Sequence, residues 1–345
     1  MHQWMRLWLG STLIAGLLPL AVAQTAASLG TEIREQAVTF HVGSIKLAGT
    51  LLRPIQRGPV PGIVLLAGSG PGTRSHLRLF AERFARDGFA ALIFDKRGSG
   101  ESEGSWTEES LDDLADDALA AAAFLKSQPE INAQRVGVWG ISQAGWVIPH
   151  AAARAPNAFA FAIVITGGGV KPLEVEIQDY SAALDHAGIT GADKAEAMAM
   201  VDRYFTYLQT GEGRAALEQA IQGSQEKPWF KIVNLDRVMP TEAARAKWEW
   251  VPNYDPSADI RSLKIPVLVV FGAKDRPVLS VTVFTAWRSN LTEGHDGDAT
   301  LVELLNAEHG AAVVGTHQKM HSGGAPTYVP GYLDPVDGWL RAHTS

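Results

Sequence analysis

The chain has 345 residues, 46% hydrophobic and 19% charged, with a net charge of −7 and no cysteine. That length suits one large α/β domain or two modest ones, and charges that never gather in blocks of one sign argue against a nucleic-acid footprint and a polybasic membrane patch. Without cysteine there are no disulfides, no thiol nucleophile, no thiolate metal site and no lipid-modified N-terminal cysteine.

At the N-terminus, Arg6 precedes an apolar run over 7–20, and Ala21-Val22-Ala23 puts small residues at −3 and −1 before Gln24. Charge, length and cleavage chemistry predict a signal peptide over 1–23, removed on export to the periplasm or beyond. Gly10, Gly16 and Pro19 interrupt the run, which is marginal for a span of about 20 residues, so no anchor is expected after cleavage. A linker over 24–36 follows. From residue 37 the pattern is strand and helix in alternation. Strands over 38–42 and 45–52 form an antiparallel pair turning at Gly43-Ser44. A strand over 60–66 leads to a helix capped by Ser75 and ending at Gly88, then a strand over 90–94. Ser110 and Asp113 form a capping box for a helix over 111–126. Apolar strands in such alternation mean a mostly parallel sheet covered on both faces.

The strand over 135–139 and the helix over 146–153 enclose Trp139-Gly140-Ile141-Ser142-Gln143-Ala144-Gly145. A serine at a sharp strand-to-helix turn, flanked by small residues, is the pattern of a nucleophile elbow. Strain holds its Oγ clear of the sheet, and the unpaired N–H of Gln143 at the helix start can face an oxyanion. Ala144 stands where the usual pattern has glycine, with Gly145 one place later. After a strand over 159–165 and a break at Gly167-Gly168-Gly169, the strand signal disappears over 170–259. An amphipathic helix marked by Ala197, Met200, Val201, Tyr204 and Leu208 lies there. We read this segment as a helical lid that splits a core of 37–169 and 260–345. Its aromatics, Tyr204, Tyr207, Trp229, Phe230, Trp248, Trp250 and Tyr254, would as a group build an apolar pocket over Ser142. Acidic residues are not concentrated among them, so nothing singles out a cationic substrate.

Strands over 265–271 and 300–305 follow, with a helix over 280–289 between them and a last helix over 336–342. Ligands of an open parallel sheet sit beyond the carboxyl ends of its strands. The loop after Phe271 carries Asp275 there, and the loop after Leu305 carries His309. Ser142, Asp275 and His309 thus occur in the order a triad takes on this kind of sheet. Glu308 is the second choice for the acid. For the base, His295 precedes its strand, while His317 and His321 lie beyond the last one, His321 being the rival. The second oxyanion donor falls in Ala67-Gly68-Ser69-Gly70-Pro71-Gly72, as the backbone N–H of Ser69 or, less well, Gly70. That loop has neither the Lys-Ser/Thr of a P-loop nor GxGxxG, so a phosphate cradle is weak. In the loop from Asp95 to Ser102, Asp95 and Arg97 suit bracing better than chemistry.

On these segments, around Gly68, Asp95, Ser142, Asp275 and His309, the chain resembles an exported bacterial serine hydrolase of the α/β-hydrolase superfamily, similar to dienelactone-hydrolase-like and prolyl-oligopeptidase-like catalytic domains. The resemblance implies an α/β-hydrolase fold, hydrolysis of small-molecule esters, thioesters or sometimes amides, and no cofactor. Dienelactone hydrolases of the family use a cysteine nucleophile, which this chain lacks, so that substrate does not carry over. A peptidase, an acyltransferase using the same triad and a non-catalytic binding protein are the alternatives. A haloalkane dehalogenase would need Asp at position 142.

Overall fold

The computed structural model describes residues 32–56, 58–275, 277–294, 298–312, 328 and 331–344. Its centre is one sheet of β1 (Ile33–Val42), β2 (Ile45–Pro54), β3 (Val60–Leu66), β4 (Ala90–Phe94), β5 (Ile131–Ile141), β6 (Ala162–Ile165), β7 (Val267–Gly272) and β8 (Ala299–Leu304). They lie side by side in the order β1-β2-β4-β3-β5-β6-β7-β8. β2 runs against both its neighbours, and every pairing from β4 to β8 is parallel. β4 and β7 are buried at every residue, which explains why they read as unbroken apolar runs rather than alternating ones.

Alternate side chains of these strands feed two cores. Val64, Leu66, Val138, Val164 and Val269 face one side with α2 (Leu111–Lys126), α3 (Ala144–Arg154) and helix Pro277–Gly294. Ile63, Leu65, Trp139, Ile163 and Leu268 face the other with α1 (Arg78–Arg86) and the last helix, Asp334–Thr344. α2 begins at the expected capping box, with Ser110 accepting from Asp113 N–H and the Asp113 carboxylate accepting from Ser110 N–H. Its buried alanines, Ala115, Ala118, Ala121 and Ala122, let it lie close on the sheet. A Cβ at Gly62 would come within 2.8 Å of Leu125.

Most boundaries differ from the sequence reading by a few residues, and three of the differences have a visible cause. β1 starts at Ile33, paired with Pro54, so the expected linker over 24–36 gives way to sheet before its end. Ser75 caps no α-helix: its hydroxyl is 2.7 Å from that of Thr73, in a 3-10 turn over Arg74–Leu77 that precedes α1. β5 extends back to Ile131 because a register shift between Val60 and Gly62 lets Val60 pair there.

The segment after β6 is helical: α4 (Pro172–His186), α5 (Gly191–Thr210), and short helices from Arg214–Gly223 to Ser257–Ser262. It has its own core of Leu184, Met200, Val201, Tyr204, Leu208, Trp229 and Val251, among others. Helix Ser257–Ser262 packs instead on α3 and helix Pro277–Gly294, with Ile260 in the sheet core. The helical segment therefore rejoins the main body slightly before its last turn. No helix among the described residues is long and apolar enough to cross a membrane, and the stretch over 1–23 lies outside them.

Candidate active site

Between β5 and α3 the chain turns through Ser142, whose φ of 57° is left-handed. Such a conformation in a non-glycine residue is sparsely populated, and persists only when its surroundings fix it. Ser142 N–H donates to Ile165 O at 2.9 Å. A Cβ at Gly167 would stand 1.9 Å from Ser142 O, and one at Gly145 would stand 2.3 Å from the Gly167 carbonyl carbon. The loop after β6 is thus pressed against the turn. At Gly140 a Cβ would be 2.3 Å from that of Ala144. Alanine fits at 144 because residue 140 has no side chain, and the closest backbone approach falls one residue later, at Gly145.

Asp275 leaves the end of β7 and His309 the end of β8. The two loops are sewn together by Ala273 N–H to Leu304 O at 3.0 Å and Lys274 N–H to Ala307 O at 2.9 Å. His309 Nδ1 lies 2.8 Å from Asp275 Oδ2, with both side chains largely buried. With the Nδ1 proton donated to the carboxylate, Nε2 is left as the acceptor. The carboxylate on this nitrogen is that of Asp275 and not of Glu308. His295, His317 and His321 lie outside the described residues.

One supporting residue is missed by sequence reasoning. Thr166, buried and left-handed at φ 48°, accepts a 2.9 Å bond on Oγ1 from Gly310 N–H. It ties the histidine loop to the end of β6. The signal that could find it is its position just past a strand end, where a carboxylate is the obvious residue to seek and a hydroxyl is not.

Ser69, Ser142, Asp275 and His309 line one cavity, together with Trp146 of α3, Thr166 just past β6 and Phe271 of β7. A Cβ at Gly68 would lie 3.2 Å from that of Ser142, so the Gly68–Ser69 segment runs directly beside the serine. Gln143 is buried at the head of α3, and its Oε1 accepts a 2.9 Å bond from Lys96 Nζ. In the same loop as Lys96, Asp95 accepts from Arg74 N–H at 2.7 Å and from Glu101 N–H at 3.0 Å. Arg97 holds Asp117 through bonds of 2.7 and 2.8 Å. Burial pushes the Asp117 carboxyl up to about 6 despite Arg97. For Asp113 burial acts in the same direction, but bonds from Lys247 and Ser110 and the charge of Arg97 hold its carboxyl at about 2.

The helical segment contributes Val175, Glu176 and Asp179 to the cavity, all from α4. This departs from the sequence reading twice. None of Tyr204, Tyr207, Trp229, Phe230, Trp248, Trp250 or Tyr254 is among the lining residues; the first six pack in the core of their own segment, and Tyr254 packs against the sheet core. Trp250 stacks edge-on to Trp146 from behind at 6.3 Å, and Trp248 Nε1 donates to Thr107 O at 2.6 Å. The wall that α4 does supply carries two carboxylates. Among the described residues no three His, Asp or Glu side chains gather as a metal site requires.

The family described as X-Pro dipeptidyl-peptidase (S15 family) matches residues 43–310. The quorum-quenching protein AidA of Acinetobacter baumannii is 37% identical over 131 residues, which cover 37% of this chain and 42% of that protein. The esterase EstD of Thermotoga maritima is 24% identical over 239 residues, or 67% of this chain and 50% of the relative. The chain therefore spans half or less of the length of these curated relatives. Among solved structures, an esterase from Pyrococcus furiosus superposes with a TM-score of 0.53 at 16% identity, covering 94% of this chain and 96% of the other. A dienelactone-hydrolase-like promiscuous phosphotriesterase from metagenomic libraries gives 0.52 at 16% identity, covering 90% and 96%. At these identities the likeness is one of fold.

Proposed function

The chain belongs to the X-Pro dipeptidyl-peptidase (S15) family and is an α/β hydrolase, and from that premise we propose that it cleaves carboxylic esters or thioesters through an acyl-enzyme on Ser142. The observation that carries this reading is the strained serine sharing a cavity with His309, whose other nitrogen is 2.8 Å from Asp275. A serine hydroxyl is a weak nucleophile until a base takes its proton. In the proposed cycle His309 Nε2 accepts that proton as Oγ attacks the carbonyl carbon, and Asp275 holds the ring and stabilises the imidazolium. The N–H groups of Ser69 and Gln143 receive the developing oxyanion. Collapse of the tetrahedral intermediate expels the alcohol or thiol, protonated by His309. A water then repeats the sequence on the acyl-enzyme. No cofactor enters this chemistry.

Under this proposal Ser142→Ala leaves the fold intact and lowers ester turnover on the order of 10⁶-fold, as loss of a triad nucleophile does in comparable enzymes. A fluorophosphonate should label the wild type at Ser142 and nowhere else. Retention of more than a few per cent of activity in the purified variant overturns the assignment. A second reading, amide hydrolysis, is favoured by the description of the matching family. Assaying p-nitrophenyl esters beside X-Pro-p-nitroanilides separates the two. A kcat/KM larger on the anilides makes the enzyme a peptidase on the same triad.

We also propose export, supported by Arg6, the apolar run after it and the Ala21-Val22-Ala23 site. Expressed in a Gram-negative host, the protein should be recovered from the periplasm with its N-terminus at or near Gln24, read by mass spectrometry of the intact protein and its N-terminal peptide. A membrane-bound product beginning at Met1 refutes this.

A further inference from the structure

Lys96 is only 6% exposed, and its ammonium group meets three acceptors. These are Gln143 Oε1 at 2.9 Å, Glu109 Oε1 at 2.9 Å and Gly68 O at 3.3 Å. An ammonium has three N–H donors, so this one is saturated. Two of its acceptors belong to the two segments that carry the proposed oxyanion donors. Gly68 O and Ser69 N–H are the two ends of one peptide unit. In a trans peptide they point in opposite directions, so a cation holding the oxygen aims the N–H away from itself. Charge on the oxygen side also polarises the unit and strengthens the N–H as a donor. Gln143 is gripped by its side chain while its backbone N–H remains for the oxyanion. The backbone of Lys96 reaches the same loop from below, donating to Gly72 O at 2.9 Å.

Resting on the Ser142 reading, we propose that Lys96 is a positioning residue for the oxyanion site, its one ammonium fixing and polarising both donor segments. Glu109 is its charge partner, 5% exposed, with Oε2 buried and without a hydrogen bond. An unpaired buried charge is costly, so removing either partner alone confounds a kinetic test with lost folding. The double variant Lys96→Met/Glu109→Gln takes out the ammonium and leaves no buried charge behind.

On p-nitrophenyl acetate the double variant should lose about 10- to 100-fold in kcat, somewhat less than the 10²–10³ that deleting a whole oxyanion donor costs. KM should stay within about twofold and the melting temperature close to that of the wild type, because the affected interaction strengthens only in the transition state. Phosphonylation of Ser142 by a fluorophosphonate, whose phosphoryl oxygen takes the oxyanion position, should slow by a similar factor. The cysteine-free sequence offers a rescue: Lys96→Cys, unfolded, alkylated with 2-bromoethylamine and refolded, regains an ammonium at this one position. With each kcat referred to the folded fraction measured by circular dichroism, recovery of at least a third of wild-type kcat is expected, against none for the unalkylated protein carried through the same refolding. A double variant whose kcat stays within twofold of the wild type, or whose loss follows KM or the folded fraction, overturns the proposal. The Ser142 reading fails separately: it falls if Ser142→Ala hydrolyses the same ester, whereas an inert Ser142→Ala beside a fully active double variant removes the role of Lys96 alone.

Discussion

Ser142 and its neighbours carry the strongest local signal in the chain. A serine between Gly140 and Gly145 at a strand end announces a tight turn, because only small side chains allow strand and helix to meet. What the sequence does not display is which backbone the glycines make room for. Gly167 reads as a simple break between elements, yet its missing Cβ leaves space for the carbonyl of the serine itself, 1.9 Å from where that Cβ would be. A clash with backbone cannot be relieved by turning a side chain aside. Gly167→Ala should therefore move the serine and lower kcat by at least about 100-fold, on the scale of a misplacement of about 1 Å at a reacting group. The comparison is Gly188→Ala, at a glycine with φ 73° and nothing within 4 Å. There the substitution carries only the backbone strain of a left-handed residue and should leave kcat unaltered. Steady-state kinetics on one p-nitrophenyl ester with both proteins decides it; equal kcat values would mean that the contact at Gly167 is relaxed elsewhere in the chain.

At the scale of the elements, the strands are the legible part and the helical segment is not. β4 and β7 are apolar throughout because both faces are covered, and that continuity marks a central parallel strand. The ends of β7 and β8 then locate Asp275 and His309. Over the segment after β6, composition shows many aromatics but not the direction they face. Tyr204, Tyr207 and Trp229 are almost fully buried within that segment, where they fill the core that α5 makes with its neighbouring helices. The element that reaches the cavity is α4, through Val175, Glu176 and Asp179, and its sequence carries no aromatic signal at those positions. The acyl preference should accordingly respond to α4. Val175→Trp narrows the cavity and should reduce kcat/KM for octanoyl against acetyl p-nitrophenyl esters by about 10- to 200-fold, the usual range of pocket contacts. Trp248→Ala, which removes the bond to Thr107 O, should lower thermal stability and leave that ratio unchanged. If Trp248→Ala shifts the ratio and Val175→Trp does not, the acyl chain lies along a different wall.

Over the whole molecule, the buried carboxylates set how stability varies with pH, and they depend on pairings that no local sequence pattern displays. Asp337 on the last helix meets Arg83 of α1, and Asp117 of α2 meets Arg97. Both acids are 4% exposed, and burial pushes each carboxyl up to about 6. For a carboxyl raised in this way the folded state holds its proton longer than the unfolded chain, so stability falls as pH rises from the unfolded value of about 4 to about 6. His150 acts in the same direction. Bonds to Asp259 and Asp112 raise its pKa, so its contribution is complete in acid and is lost as pH climbs through that raised value. Opposing them, Asp113, held at about 2, and Asp255, held low chiefly by Ser257, stabilise above the unfolded carboxylate range and give way below it. The two sets together favour mild acid over neutrality, the decline from the raised set running between about pH 4 and 6. Asp337→Asn keeps an oxygen for Arg83 and removes the titration. It should flatten the decline between pH 4 and 6 by up to about 3 kcal/mol, the linkage expected for a shift of about two pH units. Urea unfolding of both proteins at pH 4.0, 5.0, 6.0 and 7.0 measures the difference directly. Parallel curves for wild type and variant would show that Asp337 is already ionised in the native protein at pH 4, and that burial on the last helix is too shallow to hold its proton.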